Sequence, residues 1–411
     1  MISVAQAHES IQAHLTPPQP GESVSFQAAA GRVLAQDIRA TMPQPRFTNS
    51  AMDGFAVRSA DTATASREQA VPLRVTGVVS AGDGGELAIK PGECAQVMTG
   101  AALPQGADAV VKVEDTAGFG ADTIHIESPI DGGHFVRQRG EEVTQGQLLV
   151  PAGARVTAGE IGMLATYGYA QVEVAPRPTV ALLVTGNELG EPGVPLAQGQ
   201  VYNSNLHVLA RLAAQVGAEA VHSRTIGDDP AALQVFLSEA LEACRVVVTS
   251  AGVSMGQADH VRAALAAVGM QEIFWKVAQK PGLPLLFGRK GQSLVFALPG
   301  NPVSAFICFM EYVWPVLEAL QGLAPAPKLA ATLAQPFIVE PKKHRFMFGA
   351  AWLDGARLTA APSHKLGSHM LSSAVGANCI LEAPPGPGPL PPGDSVTLNL
   401  LPWAQPLSSR P

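Results

Sequence analysis

The sequence predicts a multidomain α/β plus β protein: a doubly wound α/β domain with a discontinuous N-terminal helical domain, an inserted β-rich module and a small C-terminal β domain. Apolar strand-like runs alternate with helical patterns in the second half, whereas short alternating runs between Gly and Pro turns precede them. A chain of 411 residues suffices for about two to four domains. The predicted boundaries are 1–45 with 141–177 (N-terminal domain), 46–140 (β module), 178–324 (α/β domain) and 325–411 (C-terminal domain).

The composition suits packed cores and excludes several classes of protein. Hydrophobic residues make up 47% and charged residues 15% of the chain, so a disordered protein is excluded. The formal net charge is −7, whereas a general nucleic-acid binder has a strongly basic surface. The most apolar segment, 303–320, is interrupted by Glu311 and Glu318, and the N-terminus lacks a basic, apolar leader. The four cysteines form no CxxC pair, so we expect free thiols in a cytoplasmic protein with no membrane partner.

Two helical patterns, separated by the β module, predict the N-terminal domain. Apolar residues recur at helical spacing from Val4 to Leu15, and we expect residues 1–40 to be helical. Thr157 and Glu160 have the spacing of a capping box, which predicts that a helix begins there. The β module is therefore expected to be inserted into a helical domain.

The α/β domain is predicted from apolar strands that alternate with helices, a pattern typical of parallel sheets buried on both faces. The strand candidates are 180–184, 220–226, 246–249, 274–277 and 294–298, and the helix candidates are 206–216, 230–243, 260–268 and 304–320. Asp229 before Pro230 predicts a helix cap rather than a functional acid. Segments 176–178 and 324–328 have the composition of linkers.

Three acidic residues, Glu188, Asp228 and Asp259, follow strands of this predicted sheet. Ligands bind beyond the carboxyl ends of strands in open parallel sheets, so we expect these acids to converge there. The glycine-rich loop 249–259 would present backbone N–H groups to a phosphate, although such a loop is as often a simple turn. Glu188 and Asp259, placed next to phosphate oxygens, would suit Mg²⁺.

Short motifs distributed along nearly the whole chain match a known family. They are SAMDGFAV (50–57), MTGA (98–101), RGE (139–141), TGNEL (185–189), TSAGVS (249–254) with Asp259, KPG (280–282) and LPGNPVS (298–304). Through these motifs the sequence resembles the molybdopterin molybdenumtransferases, the molybdate-inserting enzymes of molybdenum-cofactor synthesis that are related to the C-terminal domain of gephyrin. Ala251 stands where the family usually has glycine, and Asn187 where it usually has aspartate.

The resemblance implies an elongated homodimer of four-domain subunits, with the active site between the α/β domain of one subunit and the β module of the other. It implies that adenylated molybdopterin and molybdate are converted to molybdenum cofactor and AMP, with Mg²⁺ required. A molybdopterin adenylyltransferase and acceptor molybdoenzymes would be transient partners.

The resemblance also assigns residues position by position. The implied catalytic acids are Asp53, Glu188, Asp228 and Asp259, of which Glu188 and Asp259 would hold the metal. The implied substrate-binding residues are Thr99, Arg137, Thr249, Gly252, Ser254, Lys276, Lys280, Pro299, Asn301 and Pro302. Molybdate, a tetrahedral dianion, would be bound by Lys280, Arg345 and Ser368.

Two other functions remain open. The α/β domain alone resembles the molybdopterin adenylyltransferases, which attach AMP rather than release it. A non-catalytic scaffold that keeps the fold, as gephyrin does, is the second alternative. The four implied site carboxylates and the β module with its Asp53 motif favour the transferase.

Overall fold

The computed structural model of the chain describes residues 1–83, 86–251 and 260–404. Its α-helices are α1 Val4–Gln12, α2 Ser59–Thr62, α3 Ala158–Thr166, α4 Ser204–Gln215, α5 Pro230–Ala243, α6 His260–Ala267, α7 Pro302–Cys308 and α8 Trp314–Leu320, with a π-helical turn Phe309–Val313 between the last two. Single 3₁₀ turns are formed by Val113–Asp115 and Leu371–Ser373.

The strands, numbered along the described parts of the chain, are mostly short, and the longest is β22 with 11 residues. They are β1 Glu22–Ser25, β2 Ile38–Arg39, β3 Asn49–Ser50, β4 Gly54–Val57, β5 Val71–Val79, β6 Glu93–Val97, β7 Ala109–Lys112, β8 Thr123–Ile126, β9 Val136–Arg137, β10 Leu148–Val150, β11 Gln171–Val174, β12 Thr179–Thr185, β13 Leu189–Gly190, β14 Val201–Tyr202, β15 Glu219–Ile226, β16 Val246–Ser250, β17 Gln271–Trp275, β18 Gln279–Lys280, β19 Leu286–Lys290, β20 Ser293–Leu298, β21 Leu329–Leu333, β22 His344–Asp354, β23 Arg357–Pro362, β24 Cys379–Ala383 and β25 Ser395–Leu400.

The largest unit is built on a six-stranded sheet of order β15-β12-β16-β20-β19-β17. The first four strands are parallel, and β19 and β17 run antiparallel to their neighbours. Alternate residues of β12 point to opposite faces: Leu182 joins a core with α1, α4, α7 and α8, whereas Leu183 joins a core with α5 and α6. The unit therefore has three layers, with the helices on both faces of a mixed sheet.

The expectation of an N-terminal helical domain is wrong for most of its length. Helix α1 is capped by Ser3, whose side chain accepts a hydrogen bond from the Gln6 backbone in a capping box, but Pro17 and Pro18 prevent a long continuation of the helix. Its apolar face packs into the core of the α/β unit. Residues 22–25 and 38–39 instead form β1 and β2, which pair antiparallel with β11 and β10. The predicted capping box at Thr157 and Glu160 is confirmed at the start of α3.

Between these two N-terminal segments, the chain forms a β-rich unit. Its five-stranded sheet has the order β7-β4-β6-β5-β8, and a separate pair joins β3 to β9. Phe55 and Leu73 are fully buried in its core. Gly54 starts β4, and a Cβ atom at that position would lie 2.0 Å from the carbonyl oxygen of Val111. Only glycine fits this close backbone approach, which fixes the residue after Asp53.

The C-terminal unit is a small closed barrel. Its strands follow the order β22-β23-β21-β25-β24, and β22 also pairs with β24 to close the sheet. The short strand β18, which belongs in sequence to the α/β region, pairs in parallel with β22. The barrel is thereby hydrogen-bonded directly to the loop that carries Lys280.

One helical segment, Pro302–Leu320, is long and apolar enough to cross a membrane by length and hydropathy alone. It has 19 residues and a hydropathy of 1.5, and 78% of its most apolar window is buried inside the protein. Val313 and Leu317 belong to the core beneath the central sheet. The segment has the burial of a core helix.

Candidate functional site

The carboxyl ends of the parallel strands form one connected group of loops. Asn187, after β12, accepts a hydrogen bond of 3.1 Å from the backbone N–H of Asp228, which follows β15. This contact brings the predicted acids Glu188 and Asp228 onto adjoining loops, and both are exposed. Gly186 has a φ of +148°, and the Glu188 carboxylate would lie within 2.6 Å of a Cβ added there. The carboxylate of Glu188 is thus folded back over its own strand end.

The other two loops of this edge are held together by Asn205 and Ser250, neither of which was predicted as a site residue. Asn205, near the start of α4, donates to Ser250 Oγ at 2.9 Å and to the carbonyl oxygen of Gly300 at 2.7 Å. Ser250 Oγ in turn donates to the carbonyl oxygen of Pro299 at 3.2 Å. Both Asn205 and Ser250 are buried. The signal available in the sequence was a polar residue directly before a predicted helix and another directly after a predicted strand.

Several predicted residues of this edge have definite places. Asp229 accepts hydrogen bonds from the backbone N–H groups of Ala231 and Ala232, so its prediction as the cap of α5 is confirmed. Thr249 is fully buried, and its hydroxyl has no hydrogen-bond partner among the residues that the structure describes. Gly252, Ser254 and Asp259 lie outside the described residues.

The oxygen donors at this edge are of the type that binds Mg²⁺. Exposed carboxylates on two contacting loops, Glu188 and Asp228, supply the hard oxygen ligands that this ion prefers, and the ion usually keeps waters and takes substrate phosphates besides one or two carboxylates. Across residues 1–83, 86–251 and 260–404, no group of three or more His, Cys, Asp or Glu side chains forms an all-protein metal site. The residues present fit a Mg²⁺ ion whose remaining ligands would be substrate oxygens and water.

A second group of predicted residues lies on the β module. Asp53 accepts two hydrogen bonds of 2.7 Å from Thr99, one from its backbone N–H and one from its hydroxyl. The backbone donor first, and then the hydroxyl, hold the pKa of Asp53 below its usual value. Arg137 is exposed on β9, where it pairs with Asn49 of β3. The module thus presents an ionised carboxylate at its surface, while Arg137 lies on the neighbouring strand pair.

The predicted cations Lys276 and Lys280 follow β17: Lys276 comes directly after this strand, and Lys280 is the last residue of β18. Lys276 has a φ of +71°, and its ammonium lies 3.8 Å from the centroid of the Trp275 ring. Gln279, 1% exposed, donates to the carbonyl oxygen of Gly282 at 3.1 Å and accepts a hydrogen bond from the hydroxyl of Tyr312. A buried amide therefore fixes the backbone that presents Lys280.

Lys280 and Arg345 lie side by side, because they are register partners across β18 and β22. Lys280 Nζ is 2.6 Å from Glu340 Oε1, and Arg345 Nη1 is 3.9 Å from the same oxygen. Burial lowers the pKa of Arg345, opposed by the charge of Glu340. Glu340 was not predicted from the sequence, since its contact joins residues far apart in the chain. These groups form a positively charged corner with one carboxylate in it.

Ser368, the third residue predicted for this corner, is held at the start of α7. Asn301 Nδ2 donates to Ser368 Oγ at 3.0 Å, and the backbone N–H of Val303 donates to the carbonyl oxygen of Ser368 at 3.0 Å. Asn301 is the N-cap residue of α7 and Pro302 its first residue. The structure therefore joins Ser368 to the predicted substrate-binding residues of the β20 loop.

A mixed sheet with acids at its carboxyl edge, hydrogen-bonded through β18 to a small barrel that carries a cationic corner, defines a class of multidomain α/β plus β protein. Three models of known protein families match this chain. The description "MoeA N-terminal region (domain I and II)" matches residues 2–168, "Probable molybdopterin binding domain" matches 181–319, and "MoeA C-terminal region (domain IV)" matches 330–401.

Individual relatives cover nearly the whole chain. Molybdopterin molybdenumtransferase 2 of Mycobacterium tuberculosis is 35% identical over 92% of this chain and 95% of its own length. Molybdopterin molybdenumtransferase of Staphylococcus aureus is 34% identical over 93% and 91%. The crystal structure of the molybdopterin biosynthesis MoeA protein from Pyrococcus horikoshii superposes with a TM-score of 0.85 at 31% identity, covering 97% of this chain and 99% of that one.

The chain belongs to the molybdopterin molybdenumtransferase family, a family of transferases in molybdenum-cofactor biosynthesis. The resemblance inferred from the sequence motifs is thereby confirmed. The match extends over both flanking units as well as the α/β unit, which disfavours the alternative of a lone adenylyltransferase-like domain.

Proposed function

We propose that this protein inserts molybdate into adenylated molybdopterin and releases AMP in a Mg²⁺-dependent reaction. A water oxygen attacks the phosphoanhydride between the molybdopterin phosphate and the adenylyl group, the P–O bond between them breaks, and AMP leaves. The two dithiolene sulfurs of molybdopterin then bind molybdenum in place of one molybdate oxygen, which takes up two protons and leaves as water. The observation that carries the proposal is the cationic corner of Lys280 and Arg345, where a buried guanidinium and an ammonium face one point. Such a pair suits a tetrahedral oxyanion.

The acids at the carboxyl edge of the sheet support the other half of the reaction. Glu188 and Asp228 would hold Mg²⁺, together with Asp259 as implied by the family resemblance. When bound, Mg²⁺ neutralises charge on phosphate oxygens. Thr249, Pro299 and Asn301 end the neighbouring strands, which is where ligands bind in sheets of this kind. We assign them, with Gly252, Ser254, Lys276 and Pro302, to the binding of the pterin and its phosphates.

Asp53 supplies a carboxylate that stays ionised because Thr99 donates two hydrogen bonds to it. We assign it the task of orienting the oxygen that attacks the phosphoanhydride, with Arg137 contacting the anionic substrate nearby. These residues belong to the β module, whereas the sheet-edge acids belong to the α/β unit. We infer that a homodimer completes each site with the β module of the partner subunit, in the cytoplasm, with an adenylyltransferase and acceptor molybdoenzymes as transient partners.

The proposal is tested by incubating the purified protein with adenylated molybdopterin, molybdate and Mg²⁺, and measuring AMP release and protein-retained molybdenum. AMP should appear only when molybdate and Mg²⁺ are both present. Glu188→Gln should abolish its release, while Glu239→Gln, at an exposed carboxylate of α5, should behave as wild type. Binding without AMP release under every condition would favour the scaffold, and consumption of ATP with adenylation of molybdopterin would favour the adenylyltransferase.

A further inference from the structure

The cationic corner contains a carboxylate that the sequence motifs do not include. Glu340 Oε1 is 2.6 Å from the ammonium of Lys280 and 3.9 Å from Nη1 of Arg345. One oxygen of one side chain thus faces both cations. Because Lys280 and Arg345 are register partners on adjacent strands, their spacing is fixed by the backbone rather than by Glu340.

Arg345 retains hydrogen-bonding capacity that Glu340 does not use. Its side chain is 4% exposed, and its Nε has no hydrogen-bond partner in the described parts of the chain. A separation of 3.9 Å balances charge but is too long for a hydrogen bond. The guanidinium therefore has an unsatisfied N–H donor at Nε, of the kind that matches an oxygen of an anion.

The Glu340 side chain is free to turn without refolding its segment. The carbonyl oxygen of Glu340 accepts a hydrogen bond of 3.1 Å from Gly386 N–H, and the preceding Val339 is buried. These contacts anchor the backbone. The Glu340 side chain is 24% exposed, so rotation about its side-chain bonds would move the carboxylate from Lys280 into water.

The charge of Glu340 is maintained at neutral pH. A hydrogen bond from Lys280 holds its pKa below the usual value against the effect of burial, and the charges of Lys280, Arg345 and Lys343 add to this. The ionised Glu340 carboxylate is therefore negatively charged, like the oxyanion proposed to bind to Lys280 and Arg345.

We propose that Glu340 is an internal competitor for the oxyanion, whose carboxylate must leave Lys280 before a tetrahedral dianion binds to Lys280 and Arg345. The inference rests on the proposed oxyanion role of these two residues. A dianion carries two negative charges, whereas the Glu340 carboxylate carries one. It can also accept a hydrogen bond from the unpartnered Nε of Arg345. For both reasons it displaces Glu340. The competition raises the apparent dissociation constant of every oxyanion by the same factor, because each must displace the same group.

The test is calorimetric titration of the full-length protein with inorganic molybdate, and separately with sulfate, in the absence of molybdopterin. Glu340→Gln keeps the size of the side chain and removes its charge. We expect it to bind molybdate roughly two- to fivefold more tightly than wild type, the range for a partly exposed ion pair, and to bind sulfate more tightly by a similar factor. Asp354→Asn makes the same charge change at an exposed position of β22 and should leave both affinities unchanged.

Unchanged or weaker molybdate binding by Glu340→Gln would overturn the proposal that Glu340 competes with the oxyanion. This holds even if AMP release by the wild type supports the proposed function. An equal gain in Asp354→Asn would also overturn it, since the effect would then come from overall charge. If neither wild type nor Glu340→Gln binds an oxyanion, the competitor is overturned, and the AMP assay decides separately whether the transferase proposal falls with it.

Discussion

The ammonium of Lys328 lies 2.6 Å from a carboxylate oxygen of Glu382 in the barrel. It also lies 3.0 Å from Glu311 of the π-helical turn, and both carboxylates are about 95% buried. His8 of α1 contacts Glu311 at 2.8 Å, and His344 contacts Glu382 at 3.0 Å. The segment expected to be a plain linker therefore provides the cation of a buried network that joins three parts of the fold.

Removing that cation should weaken the junction. Lys328→Met leaves two buried carboxylates without their shared partner, and we expect a loss of about 2 kcal/mol in the free energy of unfolding, moderated by the partial exposure of the ammonium. Urea denaturation followed by circular dichroism measures it. Lys342→Met, at an exposed lysine of the same region, is the control, and equal midpoints for the two variants would contradict the prediction.

Glu382 should make stability depend on pH on the acid side. Burial raises its pKa, but the hydrogen bonds from His344 and Lys328 and their charges outweigh burial, so the pKa lies below the usual value. The folded state then binds fewer protons than the unfolded state. Its stabilisation is present above the unfolded pKa of about 4.3 and is lost as the pH falls through the lower folded value.

Thermal unfolding of wild type and Glu382→Gln at a series of pH values measures this contribution. The variant should be less stable at pH 7, and the difference between the two proteins should shrink as the pH falls below about 4.3. Parallel curves over the whole range would show that another group carries the acid dependence.

Ala251 should tolerate glycine with a gain in stability. Its φ is +80°, a conformation that costs a residue with a Cβ atom roughly 1–2 kcal/mol. Part of the relief is offset because glycine has more freedom in the unfolded chain, so Ala251→Gly should stabilise the protein by about 0.5–1 kcal/mol.

The matched control for this change is Ala263→Gly in the exposed face of α6, which should destabilise by about 1 kcal/mol. Differential scanning calorimetry of both variants gives the comparison. A lower melting temperature for Ala251→Gly would contradict the strain argument.

Thr99 should set the acid limb of the activity profile through Asp53. Thr99→Val removes the hydroxyl donor and keeps the backbone donor, so the pKa of Asp53 should rise because the ionised form loses a hydrogen bond. The acid limb of kcat/KM for AMP release should move to higher pH. Thr99→Ser keeps the hydroxyl and should follow the wild-type profile, whereas identical profiles for Val and Ser would remove Thr99 from this role.

Local signals in the sequence were sufficient for elements stabilised by their own residues. The buried strand around Leu182 and the cap at Asp229 follow from apolar runs and from hydrogen bonding over two or three residues. Strand β19 was missed because Pro281, Gly282 and Pro284 precede it and indicate a loop. Its pairing with β20 gives the edge of the sheet an antiparallel direction that no local pattern encodes.

Predicting the site from the sequence had a similar limit. The placement of Asp228 and Glu188 on adjoining loops follows from the parallel pairing of β12 with β15. The contact of Lys280 with Glu340 joins residues 60 positions apart, and no spacing rule relates them. The helical expectation for residues 13–40 failed because Val24 and Leu34 pack against residues of the 148–174 segment, so a distant partner determined the local conformation.

The pairing of β18 with β22 also has a mechanical consequence. Lys280 belongs to the chain of the α/β unit but is hydrogen-bonded to the barrel through its strand. A rotation of the barrel would therefore carry Lys280 and Arg345 together and preserve their separation, while changing their distance from the acids at Glu188 and Asp228. The backbone changes needed for such a rotation would fall on the short stretches on either side of β18, which would act as hinges.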